Sequence, residues 1–204
     1  MKIKICGLHP ARDVQLCIDL KVDFLGFVFY EKSPRHLNLK DIQKLKNFVK
    51  YKSSFVAVTV NPDNQFIKDT VLENFEYIQL HGDETNERIK EIKSMGLKIL
   101  KTIKVKSETD IENYKKYNNA DIILFDTPGM EKSIKFPEYL ISKLPKGDKF
   151  ALAGSISLNN IESIANLGVN FCDLSSSLEL DKQIGYKDHQ KIKKFVKKVN
   201  ELKN

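Results

Sequence analysis

The sequence predicts an α/β fold, closed as a (β/α)8 TIM barrel. Three observations predict it. Short apolar runs rich in Val, Ile and Phe alternate with longer amphipathic runs from end to end. About eight such units recur, at a period of roughly 21 to 31 residues. The 204 residues are 41% hydrophobic and 30% charged, the composition of a globular chain long enough to bury its own core. Alternating strand and helix imply a parallel sheet with right-handed crossovers, and eight units can close it. The length is near the lower limit for that fold. An open, doubly wound sheet is the competing architecture, but no G-x-G-x-x-G follows the first strand. No Pro/Gly-rich linker or composition shift divides the chain, so residues 1–204 read as one domain.

The expected strands are 3–6, 24–29, 55–60, 77–80, 99–103, 122–125, 150–153 and 171–174. Each is as short as a buried strand and rich in β-branched or aromatic residues. Helical spacing is clearest in three intervening stretches. In 39–49 the apolar positions are Leu39, Ile42, Leu45, Phe48 and Val49. In 84–95 they are Ile89, Ile92 and Met95, with Gly96 as a stop. Segment 157–167 opens with Ser-x-x-Asn, carries Ile161, Ile164, Ala165 and Leu167, and stops at Gly168.

The net charge of +7 comes from 34 Lys+Arg against 27 Asp+Glu. The lysines are scattered among acids, which argues against a nucleic-acid partner. Their one dense cluster, 187–203, has the spacing of a solvated helix face over Ile192, Phe195, Val196, Val199 and Leu202. Arginine occurs only at Arg12, Arg35 and Arg88. A lysine-using chain that keeps an arginine in a loop can use its flat, two-pronged cation there. The three cysteines, Cys6, Cys17 and Cys172, form no C-x-x-C, so neither a disulfide framework nor a metal site is indicated. No apolar run approaches the ~20 residues of a membrane span, and MKIKICGLHP lacks the form of a signal peptide. A reducing cytoplasm and no membrane partner are expected.

In a barrel of this kind the chemistry lies at the C-terminal ends of the strands. Here those ends carry Cys6, Phe29, Val60, His81, Ile103, Asp126, Gly154 and Ser175. Side chains alternate across a strand. In strand one Ile3 and Ile5 face the helices, while Lys4 and Cys6 face inward. A lysine inside a barrel is costly unless paired, and Asp126 or Asp173 is the candidate partner. The same alternation turns Gln79 and His81 inward on strand four, and Phe171, Asp173 and Ser175 on strand eight. The mouth therefore collects Lys4, Cys6, Gln79, His81, Asp126, Asp173 and Ser175, more polar groups than a packed core needs. The turns Ala153-Gly154-Ser155 and Ser175-Ser176-Ser177 follow strands seven and eight. Backbone N–H groups at such turns bind phosphate, and this is where barrels of this kind hold it.

KIKICG at 2–7, GFVF at 26–29, SPR at 33–35, IQLHGDE at 78–84, LFDT at 124–127, LAG at 152–154, DLSSSLE at 173–179 and GYKD at 185–188 fall in order along the chain. With these motifs the chain resembles the phosphoribosylanthranilate isomerases of tryptophan biosynthesis, over essentially its whole length. The resemblance implies a barrel using no metal or organic cofactor; a monofunctional chain, monomer or homodimer, is expected. Its substrate would be a small phosphorylated molecule, N-(5-phosphoribosyl)anthranilate. The implied reaction is an Amadori rearrangement to 1-(2-carboxyphenylamino)-1-deoxyribulose 5-phosphate. The resemblance makes Cys6 the general base and Asp126 the general acid. It gives the anthranilate carboxylate to Arg35, and the phosphate to Gly154, Ser155, Ser176 and Ser177. Lys4, Gln79, His81 and Asp173 complete the expected substrate-binding surface, with Lys4 the candidate cation to activate the thiol.

The chain departs from the family pattern in three places. After Asp126 the usual glycine-rich stretch is replaced by TPGMEKSIKFPEYL, where only Gly129, Ser133 and Phe136 match. The second glycine after strand seven is Ser155, and the glycine of S-S-G is Ser177. Such replacements cost energy where the backbone needs φ > 0. Two other readings stand beside the isomerase. One is a related phosphosugar isomerase or epimerase, which would have no use for Arg35. The other is a catalytically weakened barrel that binds a phosphorylated ligand.

Overall fold

The computed structural model describes residues 1–48, 52–127 and 136–202. Eight parallel strands form a closed barrel: β1 (Lys2–Cys6), β2 (Phe24–Phe29), β3 (Ser54–Thr59), β4 (Tyr77–Leu80), β5 (Lys98–Lys104), β6 (Ile122–Asp126), β7 (Phe150–Leu152) and β8 (Phe171–Leu174). Each strand pairs with the next, and β8 returns to β1 with Lys4 opposite Asp173. The expected α/β barrel is the observed fold. A two-stranded antiparallel ribbon, β9 (Glu179–Leu180) and β10 (Gln183–Lys187), follows β8. Nothing in the sequence pattern foretells it.

The helices between strands are α1 (Pro10–Asp19), α2 (Leu39–Ile42), α3 (Asn64–Phe66), α4 (Leu72–Asn74), α5 (Asn86–Ser94), α6 (Glu108–Glu112), α7 (Glu138–Lys143) and α8 (Ile161–Asn166), with α9 (His189–Glu201) after the ribbon. Strand alternation divides the core into two layers. Phe24, Val28, Val56, Val58, Leu100, Leu124, Ala151 and Phe171 fill the barrel interior. Ile3, Ile5, Ile78 and Leu80 point outward and pack with Ile89, Ile92, Phe195 and Val199 of the helices. The strands are buried on both faces, as a parallel sheet covered by helices requires.

Three local expectations are corrected. The segment 39–49 is α-helical only through Ile42, and a 3-10 helix, Gln43–Asn47, follows. Leu39 sits at its start and is 59% exposed, because the short helix buries only Ile42; Val49 lies outside the described residues. The helix expected over 84–95 begins at Asn86, where the Thr85 hydroxyl accepts the Arg88 N–H. Glu84 is drawn instead into a buried pair with Lys101, 2.8 Å apart. Lys187 belongs to no helix face: it is a buried residue of β10. The Asp188 carboxylate accepts the N–H groups of Gln190 and Lys191, which fixes the start of α9 after Lys187. The expected stops hold: Gly96 has φ +102° and Gly168 φ +82°. Gly129 and Ser133 lie outside the described residues, and Phe136 is buried.

Candidate active site

The C-terminal ends of the strands open into a cavity of about 430 Å³. Cys6 from β1, Gln79 from β4, Asp126 from β6 and Asp173 from β8 line it, with His81 just beyond β4. Arg35 reaches it from the loop after β2, and Gly154, Ser155, Ser176 and Ser177 border it from the turns after β7 and β8. Lys4 alone among the expected site residues does not reach the cavity. It is fully buried beneath the floor.

There the Lys4 ammonium donates to Asp173 Oδ2 at 2.7 Å, which settles its partner between the two candidate aspartates. Its charge also interacts with the Cys6 thiol. Burial works against the Lys4 charge, but Asp173 and Cys6 outweigh it and the pKa is raised. Burial likewise pushes the half-buried Cys6 thiol up, opposed by the charges of Lys4, Lys187 and Arg35. The close approach of Cys6 to β2 explains the Gly26 of GFVF. A Cβ there would lie 3.2 Å from both Cys6 Sγ and Lys4 Nζ.

Across the mouth, Asp126 Oδ1 accepts the Thr127 N–H at 2.8 Å. Burial, aided by the charge of Asp173, pushes its pKa up to about 7. His81 lies beside it and is pushed down to about 4, first by burial and then by the charge of Lys104. Gln79 donates to Thr102 Oγ1 at 3.0 Å. Gln79 Oε1 and Asp173 Oδ1 are buried acceptors without a hydrogen-bond partner among the described residues.

The β7 turn is held by Asn160, which accepts the Ser157 N–H and donates to Ser155 O. It places two left-handed residues in succession, Gly154 at φ +96° and Ser155 at φ +52°. Ser155 therefore occupies a backbone conformation that favours glycine, whereas Ser177 does not. Lys104 lines the cavity in register with Asp126 and was not among the residues expected there. Extending the inward parity of Leu100 and Thr102 by one more step finds it. Among the described residues no cluster of three His, Cys, Asp or Glu is placed to hold a metal ion. No helix among them is long and apolar enough to cross a membrane.

A model of the N-(5'-phosphoribosyl)anthranilate (PRA) isomerase family matches residues 3–198. The chain belongs to that family. The PRA isomerase of Staphylococcus haemolyticus (strain JCSC1435) is 33% identical to it over 210 residues, covering 98% of each chain. The solved PRA isomerase of Thermotoga maritima superposes with a TM-score of 0.85 at 28% identity, covering 98% of each. A PRA isomerase structure in complex with reduced 1-(o-carboxyphenylamino)-1-deoxyribulose 5-phosphate gives 0.83 at 27% identity, again over 98% of each. PRA isomerase membership thus extends over the barrel and the ribbon, since the matched residues run past β10 into α9.

Proposed function

We infer that this chain isomerises N-(5-phosphoribosyl)anthranilate to 1-(2-carboxyphenylamino)-1-deoxyribulose 5-phosphate, the Amadori step of tryptophan biosynthesis. One observation carries the reading beyond family membership. A thiol from β1 and a carboxyl of raised pKa from β6 open into one cavity, bordered by an arginine and by two Gly/Ser turns.

The chemistry needs an acid and a base. Asp126, which keeps its proton to about pH 7, delivers it to the furanose oxygen as the ring opens to an iminium. The iminium acidifies the neighbouring C2′–H. Cys6 as thiolate removes that proton, giving an enolamine. The enolamine takes a proton at C1′ and loses the one on its 2′-oxygen, so the net change is an isomerisation. Lys4 acts from beneath the floor by stabilising the thiolate. Arg35 takes the planar carboxylate of anthranilate by two parallel bonds. Gly154, Ser155, Ser176 and Ser177 hold the phosphate. The orphaned acceptors Gln79 Oε1 and Asp173 Oδ1 suit sugar hydroxyls, whose O–H groups would otherwise be lost from water. His81, neutral through the physiological range, lines the site without competing as a cation. The enzyme works in the cytoplasm as a monomer or homodimer.

Ser155 in a left-handed conformation favours one alternative, a phosphate-binding barrel whose catalysis is weakened. Turnover separates the two. Loss of phosphoribosylanthranilate fluorescence should follow addition of the enzyme, and the gene should rescue a tryptophan auxotroph lacking this isomerase. Cys6→Ser and Asp126→Asn should each lower kcat by roughly 10²–10⁴-fold. Retention of most activity by both variants would remove them from the mechanism.

A further inference from the structure

The loop after β2 does not present Arg35 alone. Arg35 Nε donates to Glu179 Oε1 at 2.5 Å and Nη2 to Oε2 at 3.0 Å, a bidentate pair joining residues 144 apart in sequence. The Glu179 side chain is fully buried. Lys187 Nζ, also fully buried, reaches the same Oε1 at 3.4 Å and donates to Ser175 O at 3.1 Å. Lys191 Nζ donates to the Glu179 backbone carbonyl at 2.9 Å. The ribbon also abuts the loop directly. Gly185 has φ +85°, and a Cβ there would come within 2.6 Å of Pro34 O.

We propose that Glu179 is a positioning residue that aims Arg35 at the substrate carboxylate, and that the β9–β10 ribbon serves to hold it there. The proposal rests on the assignment of that carboxylate to Arg35. Its logic is geometric. A guanidinium offers five N–H donors in a rigid fork. Glu179 engages the Nε–Nη2 side and leaves the Nη1–Nη2 edge for a second planar carboxylate in the cavity that Arg35 borders. Two cations, Arg35 and Lys187, share one carboxylate, so the cluster keeps a net positive charge for an anionic ligand. An arginine on a loop without this clamp would lose more side-chain entropy on binding.

The test compares two inert ligands by titration calorimetry. One is reduced 1-(2-carboxyphenylamino)-1-deoxyribulose 5-phosphate; the other is its phenylamino counterpart, which lacks the carboxylate. Arg35→Ala should weaken the first by roughly 30-fold or more and leave the second nearly unchanged. Glu179→Gln should weaken the first by about 5- to 10-fold, spare the second, and raise KM with kcat held within about twofold. Equal weakening of both ligands by Glu179→Gln, or weakening of neither, would overturn the proposal by making Glu179 a structural staple. If Arg35→Ala itself fails to distinguish the ligands, the carboxylate assignment falls, and the proposal with it. Should Glu179→Gln not fold, Glu179→Gln/Lys187→Met keeps the charge of the cluster unchanged. In that double variant, selective weakening of the first ligand supports the clamp, and equal or absent weakening overturns it.

Discussion

Asp126 and His81 face each other at the barrel mouth with Oδ2 and Nε2 3.7 Å apart, too far for a hydrogen bond. Burial drives their titrations in opposite directions: the carboxyl moves up to about 7 and the imidazole down to about 4. At neutral pH the pair is a half-protonated acid beside an uncharged ring. Near neutral pH the proton of the pair thus sits on Asp126 and not on the histidine, as the proposed ring opening requires.

The pH–rate profile should carry the signature of this arrangement. The proposed mechanism needs Asp126 protonated and Cys6 ionised, yet the acid titrates at about 7 and the thiol above its ordinary value. Below 7 the thiolate fraction grows tenfold per pH unit while the acid stays protonated, so kcat/KM rises. Above 7 the gain in thiolate and the loss of acid cancel, and the profile should flatten until the thiol titrates. A kcat/KM that falls steadily from pH 6 to 8 would contradict these assignments.

Asp126→Asn should stabilise the fold in alkaline solution. The folded carboxyl keeps its proton to about 7, whereas an ordinary aspartate releases it near 3.8. Between those values unfolding releases a proton, so stability falls as pH rises and is lowest above 7. The asparagine variant escapes that loss. It should gain on the order of 2–4 kcal/mol over the parent at pH 8, and almost nothing at pH 4. Urea unfolding at the two pH values measures the difference; equal effects at both would refute the burial argument.

Lys4→Met should cost about 3–5 kcal/mol, because it leaves Asp173 buried without its cation. Lys4→Met/Asp173→Asn should recover most of that stability and still turn over slowly, since the thiol has lost the Lys4 charge and the substrate the Asp173 carboxylate. Full activity in the double variant would show that Lys4 serves folding alone.

At the β7 turn, Ser155→Gly should raise stability by about 0.5–1 kcal/mol by removing a left-handed serine. Gly154→Ala should lower it by roughly 2 kcal/mol or more, by strain and overpacking. Its Cβ would meet Thr127 Oγ1 at 2.7 Å as well as carry φ +96°. Thermal unfolding of the two variants should therefore shift in opposite directions.

The barrel is legible in the sequence because its strands are short apolar runs set between helical stretches, and β1 interrupts its run with polar residues. Ile3 and Ile5 go out, Lys4 and Cys6 go in, and the interruption marks the site. The same parity places Gln79 and Asp173. Lys187 misleads because helix spacing runs through it from α9, and only Glu179, pairing across the ribbon, reveals its true environment. Glu179 itself stands in the DLSSSLE motif without a visible role, since its partner lies 144 residues earlier. Pairings of that separation leave no local pattern. Lys4 shows the same limit in milder form: its need for a carboxylate is readable, but the choice between Asp126 and Asp173 needs the register of β1 against β8.

That seam has a bearing on biogenesis. The Lys4–Asp173 bond and the Ser175 hydroxyl on the Cys6 carbonyl each tie together residues 169 positions apart. On a ribosome the first strand must wait, one side unpaired and a lysine uncompensated, until nearly the whole polypeptide has been made. Until then its thiol is an ordinary exposed one; closure buries that sulfur and raises its pKa, so labelling of Cys6 should slow as folding completes.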